Sequence, residues 1–118
     1  MTEFKWQAER WLRSSEWQTH ASRVLALVQK CRDMRCAAAT EKQQCQRECE
    51  QPWINLEIHV KEKTALFARK GAGFCKEECW EAEEVQQCVS KCVSEYSLLF
   101  EDLRASLIQR AQSTRVLE

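Results

Sequence analysis

Residues Cys75–Cys92, CKEECWEAEEVQQCVSKC, place four cysteines among good helix formers with no Gly or Pro between them. On one continuous helix Cys79 and Cys88 would point to opposite faces, with Cα atoms about 13 Å apart. A disulfide does not span that distance. Cys75 and Cys79 lie one turn apart on the same face, as do Cys88 and Cys92, so each Cys-x(3)-Cys pair forms a short stripe of sulfur. Two stripes ask for two helices. If the chain reverses within Trp80 to Gln87, the stripes face each other, and antiparallel geometry pairs Cys75 with Cys92 and Cys79 with Cys88. Of the three connectivities open to four cysteines, this nested one joins the stripes level by level.

The device occurs twice. Cys31, Cys36, Cys45 and Cys49 repeat the quartet at offsets of 44, 43, 43 and 43 residues, with eight residues inside each inner pair. The same nesting pairs Cys31 with Cys49 and Cys36 with Cys45. The duplication extends past the sulfurs, because at offset 43 Trp53 matches Tyr96 and Leu56 matches Leu99. One spacing departs from the pattern. Four residues separate Cys31 from Cys36, which sets them about 140° apart on an ideal helix, so a π-bulge or an unwound turn is expected there.

The rest of the chain reads as helix. Ser15 and Gln18 fit a capping box, with a first short helix ending near Arg13 and a second running towards Cys36. Thr40 and Gln43 fit another, inside the first reversal. Pro52 suits a kink or the first turn of a new helix. Beyond it Trp53, Leu56, Val60, Thr64 and Phe67 follow a helical stripe, although INLEIHV (Ile54–Val60) also alternates as a strand would; a lone strand has nothing to pair with. KGAGF (Lys70–Phe74) reads as a glycine stop. Tyr96, Leu99, Phe100, Leu103, Leu107 and Ala111 mark the apolar face of a long C-terminal helix. The expected fold is all-α: two tandem disulfide-clamped antiparallel helical hairpins with extended N- and C-terminal helices, in a single domain over 1–118. Its parts are a Trp-rich N-terminal segment (1–23), the first hairpin (24–60), a linker helix with a glycine break (61–74), and the second hairpin with its long helix (75–118).

Composition narrows the function. The 118 residues are 44% hydrophobic and 31% charged, as in soluble globular domains. Eighteen basic residues balance eighteen acidic ones, without the basic block of a nucleic-acid or acidic-lipid surface. The apolar runs, such as Val24–Val28, fall far short of the roughly 20 residues of a membrane span. The N-terminus shows neither the apolar core of a secretory signal nor the acid-free composition of a cleaved transit peptide. Eight cysteines in duplicated spacing form a disulfide framework, which requires an oxidising compartment.

Cysteine, histidine and glutamate admit several chemistries. Each quartet offers four thiolates to a zinc ion, but structural zinc sites favour Cys-x(2)-Cys knuckles with glycine-containing turns, so no metal is expected. A thioredoxin-like Cys-x-x-Cys pair is absent. His20 and His59 stand alone, and the glutamates of EECWEAEE (Glu77–Glu84) read as a solvated face. With no catalytic triad, phosphate loop or cofactor fingerprint, neither catalysis, a cofactor nor a small-molecule substrate is expected. The aromatics are the better lead. On an ideal helix Phe4 and Trp11 share one face and Trp6 and Trp17 another, roughly 120° or more away, which leaves some exposed unless the segment bends at Ser14 and Ser15. Phe4, Trp6, Trp11 and Trp17, with Phe100, Leu103 and Leu107 on the C-terminal helix, are the candidate partner-binding residues.

The paired-cysteine hairpins, Pro52 three residues after Cys49, the helical linker and CVSKCVSEYSLLFEDL (Cys88–Leu103) resemble the mitochondrial family-with-sequence-similarity-136 proteins, over about Val24 to Leu107. More distantly the chain is similar to the small Tim chaperones and the coiled-coil-helix-coiled-coil-helix proteins. The resemblance implies the mitochondrial intermembrane space, where such cysteine pairs are captured and oxidised by the import machinery. The expectation is a non-catalytic accessory subunit of an inner-membrane assembly, a respiratory complex or ATP synthase, peripheral to the membrane and bound to protein subunits. The alternative is a soluble chaperone or assembly factor of the same compartment.

Overall fold

The computed structural model describes residues 2–117, and these form helices and no strand. Helix α1 spans Glu3–Leu12, α2 Ser15–Lys30, α3 Lys42–Glu78, α4 Val85–Tyr96 and α5 Leu99–Ser113; a π-helical turn, Cys31–Arg35, continues α2. The two hairpins are not separate. They share α3, a helix of 37 residues that is about 55 Å long at 1.5 Å per residue.

Both flanking arms run antiparallel to this spine. The α1–α2 arm leads towards the first hairpin, with Phe4 against Gly71 and Cys31 bonded to Cys49. The α4–α5 arm starts at the second hairpin and runs the same way, from the Cys79–Cys88 bond through Phe67 against Phe100 to Arg110 beside Leu56. Three helices side by side give a rod of 69 × 22 × 18 Å. The α3 stripe Leu56, Val60, Thr64, Phe67, Gly71 and Cys75 is buried, at the three- and four-residue steps the sequence indicates. Thr64 meets its burial by donating its hydroxyl to the Val60 carbonyl at 2.9 Å.

Aromatic rings fill the middle of the rod. Phe4 meets Phe67 edge-on at 5.6 Å and Tyr96 at 5.3 Å, Trp11 meets Phe100 edge-on at 5.8 Å and lies 5.2 Å from Trp17, and Phe67 lies 5.1 Å from Phe100. The edge-on pairs, Phe4 with Phe67 and Tyr96 and Trp11 with Phe100, have the geometry that ring quadrupoles favour, and the other two pairs are tilted. A polar chain reinforces the joint: Trp11 Nε1 donates to Glu16 at 2.7 Å, and Arg104 pairs with both Glu16 and Glu101, tying the first arm to α5.

Local details depart from the sequence reading in four places. The N-cap of α2 is Ser14, whose hydroxyl accepts from the Trp17 amide, and Gln18 reaches back to the Leu12 carbonyl instead of closing a box on Ser15. Glu41, without a side-chain cap bond, precedes α3, so Thr40 and Gln43 form no box. Pro52 and both glycines lie inside α3. No glycine adopts the left-handed conformation that a glycine helix stop uses, so KGAGF does not break the helix. Finally, the long C-terminal helix divides between α4 and α5 at Ser97 and Leu98, which turns Leu99 outwards to 52% exposure while its repeat counterpart Leu56 is buried.

Gly71 has a packing role. A Cβ there would lie 2.8 Å from Phe4 Cδ2, and Phe4 is itself held between Phe67 and Tyr96. Gly71→Ala is expected to lose roughly 1–2 kcal/mol net of its helix-propensity gain. Gly73→Ala, where an added Cβ meets nothing within 4 Å, is expected to gain up to about 1 kcal/mol. Urea midpoints of the two variants check the pair.

The two clamps differ in support. Cys75, Cys79 and Cys92 belong to the main apolar core, whereas Cys31, Cys36, Cys45 and Cys49 form a separate cluster against which, among the described residues, partly buried Ala39 and Val116 pack. Each disulfide contributes roughly 2–4 kcal/mol, and the first hairpin has little else. On reduction, amide exchange is expected to lose protection first in residues 31–50 and later in the middle of α3; protection unchanged after complete reduction would contradict this assignment.

Candidate interaction surface

The cysteine geometry follows the nested pairing. Cys31–Cys49, Cys36–Cys45, Cys75–Cys92 and Cys79–Cys88 are bonded with Cα separations of 5.7, 5.6, 5.6 and 5.7 Å, and no described cysteine is free. The π turn at Cys31–Arg35 accounts for the one irregular spacing. By lengthening the turn it returns Cys31 and Cys36 to the same side of the arm, where both meet α3.

Stacking the rungs also draws the sulfurs of Cys36, Cys45 and Cys49 within 4.8 Å of one another, with Cys36 Sγ 3.6 Å from Cys49 Sγ. This closeness is a product of two adjacent disulfides. A sulfur in a disulfide carries no thiolate charge, and thiolate is the form that binds zinc.

Of the seven candidate partner residues, five face inwards. Phe4, Trp11, Trp17, Phe100 and Leu107 are buried in the chain's own core, and Leu103 packs partly buried against it. Only Trp6 stands out, at 60% exposure. The reason is the break at Arg13 and Ser14. It resets the helical phase, so Trp17 swings onto Trp11 instead of sharing the face of Trp6; a single ideal helix through both segments places it wrongly.

The exposed apolar surface lies elsewhere. Trp80 is 75% exposed and Met34 71%, one at the end of each hairpin, and Phe74, Val85, Leu98 and Leu99 are also open. Sequence periodicity does not find Trp80, because it sits in the reversal, outside any helical stripe. The repeat does hold a signal: at offset 43 the residue equivalent to Trp80 is Ala37. The glutamates beside Trp80, Glu77, Glu78, Glu81, Glu83 and Glu84, are exposed as a solvated face.

Both histidines are half-buried. His59 lies on α3 facing the end of α5. Burial, then the positive charges of Arg110 and Lys63, hold its pKa below the ordinary value near 6.5, against a smaller opposing pull from Glu62. As pH falls through the unfolded value the unfolded chain takes up a proton and the folded chain does not, so stability declines until the lowered folded pKa is passed. His59→Gln is expected to remove that part of the decline, read as a smaller loss of urea midpoint than wild type between about pH 7.5 and about pH 5.5.

Compared with protein-family models, curated proteins and solved structures, the chain matches none. No described helix is long and apolar enough to cross a membrane.

Proposed function

We propose that the protein is a non-catalytic accessory subunit of a mitochondrial inner-membrane assembly, a respiratory complex or ATP synthase, held on its intermembrane-space side. The observation that carries the reading is a fold already closed on itself that still leaves Trp80, Trp6, Phe74, Leu98 and Leu99 open to solvent. Aromatic anchors on a rigid frame are the usual means by which a small subunit is held in place. Four disulfides per 118 residues supply that rigidity and call for an oxidising compartment. The resemblance of the paired-cysteine hairpins to intermembrane-space proteins favours that compartment among the oxidising ones.

A permanent subunit binds at a preformed surface, whereas a chaperone needs a mobile apolar groove for many clients. The interlocked rings at Phe4, Phe67, Tyr96 and Phe100 favour the first. Sedimentation of gently solubilised mitochondria separates the two. Comigration of the chain with one large complex, retained through a second gradient, is the expected result; a small free pool would replace the subunit reading with the chaperone.

A further inference from the structure

The second hairpin carries a groove between the end of α3 and α4, with a volume of about 440 Å³. Ala72, Gly73, Lys76, Trp80, Val85 and Val89 line it, and Cys79 contributes to its floor. The Cys79–Cys88 bond fixes the distance between its walls. The site is preformed.

The duplicated hairpin provides an internal control for what the fold itself requires. At the positions of Trp80, Val85 and Val89 the first hairpin has Ala37, Lys42 and Gln46. Both inner clamps nevertheless close to nearly the same Cα separation, 5.6 and 5.7 Å. Val89 packs partly buried against the main core, but the exposed Trp80 and Val85 are not needed to build a clamp. Gly73 is unexplained in the same way. Gly71 makes room for Phe4, but a Cβ on Gly73 would meet nothing, and glycine inside a helix costs about 1 kcal/mol relative to alanine. What bare backbone on a groove wall permits is the close approach of another chain.

Charge selects the occupant. Glu77, Glu78, Glu81, Glu83 and Glu84 are exposed and lie within four residues of Trp80 in the chain, while Lys76 is the one charged residue among the described residues that line the groove itself. Such a rim repels an anionic lipid surface and attracts lysine and arginine. We propose that the groove docks a basic amphipathic helix of a partner protein, its apolar face covering Trp80, Val85 and Val89, its backbone passing close to Gly73, and its cations meeting the glutamate rim. This rests on the accessory-subunit reading and gives it a partner chemistry.

The test uses the purified, oxidised full chain and a labelled peptide of about five helical turns with leucines on one face and lysines on the other. Fluorescence anisotropy is expected to show saturable binding in the micromolar range, weakened at least about tenfold by Trp80→Ala and by Gly73→Leu, and weakened by added salt. Trp80 is exposed and a Cβ at Gly73 meets nothing within 4 Å, so both variants are expected to keep the wild-type circular dichroism and to melt no lower than wild type. A peptide with glutamates in place of the lysines is expected not to bind. Absence of saturable binding, equal binding by the variants, equal binding of the glutamate peptide, or a concentration-dependent dimer abolished by Trp80→Ala would each overturn the proposal. If Trp80→Ala and Gly73→Leu chains still comigrate with the large complex, the groove assignment fails while the accessory-subunit reading stands.

Discussion

Covalent spacing at both ends of α3 governs this fold. Two rungs at each end hold the neighbouring arm at Cα separations of 5.6–5.7 Å, and two rungs one turn apart fix direction as well as distance, because a single bond would leave the helices free to splay. With both arms obliged to lie along α3, the middle of the rod has only to be filled. Phe4, Trp11, Trp17, Phe67 and Phe100 fill it, from four different helices. The aromatic core and the sulfur clamps thus do different work: packing closes the centre, and bonds prevent the thin ends from fraying.

The two ends have diverged. At the second hairpin the sulfurs continue the main core, so covalent and hydrophobic restraints overlap. At the first they stand nearly alone, with Val116 of the C-terminal tail packed against them and the Arg32–Glu50 pair at 3.5 Å on the rim. An exposed pair of this kind adds little. Both ends carry an apolar groove, one of about 260 Å³ lined by Leu27, Cys31, Met34, Val116 and Leu117 at the first hairpin and one of about 440 Å³ at the second, but only the second combines redundant restraints with an exposed tryptophan. A rigid floor and an exposed anchor reduce the ordering cost of binding.

Much of this was legible in the residues. Equal inner spacings pointed to the nested pairing, and the extra residue between Cys31 and Cys36 called for a π-bulge or an unwound turn, of which the structure has the π turn, because disulfide geometry leaves few alternatives. The α3 stripe from Leu56 to Phe67 followed from periodicity. Glycines misled, since Gly71 and Gly73 look like a stop until the position of Phe4 is known, and that is a contact between residues 67 positions apart. The buried state of Trp17 depended on a phase change at one cap, and the break at Ser97 and Leu98 on how α5 docks, neither of which propensity encodes. Trp80 was hidden for a different reason. Periodicity weighs residues inside helices, and this one matters by lying between them; only comparison of the two repeats, tryptophan against alanine at position 37, brings it forward.

The bonded cysteines hold the two arms to the shared spine and fix the walls of the groove. Peptide mapping by mass spectrometry, on chain digested without reduction after thiol blocking, tests them directly. The account predicts no blocked thiol and four linked peptide pairs, joining Cys31 to Cys49, Cys36 to Cys45, Cys75 to Cys92 and Cys79 to Cys88. Bonds crossing between the hairpins, outer cysteines joined to inner ones, or eight blocked thiols in the native protein would contradict it.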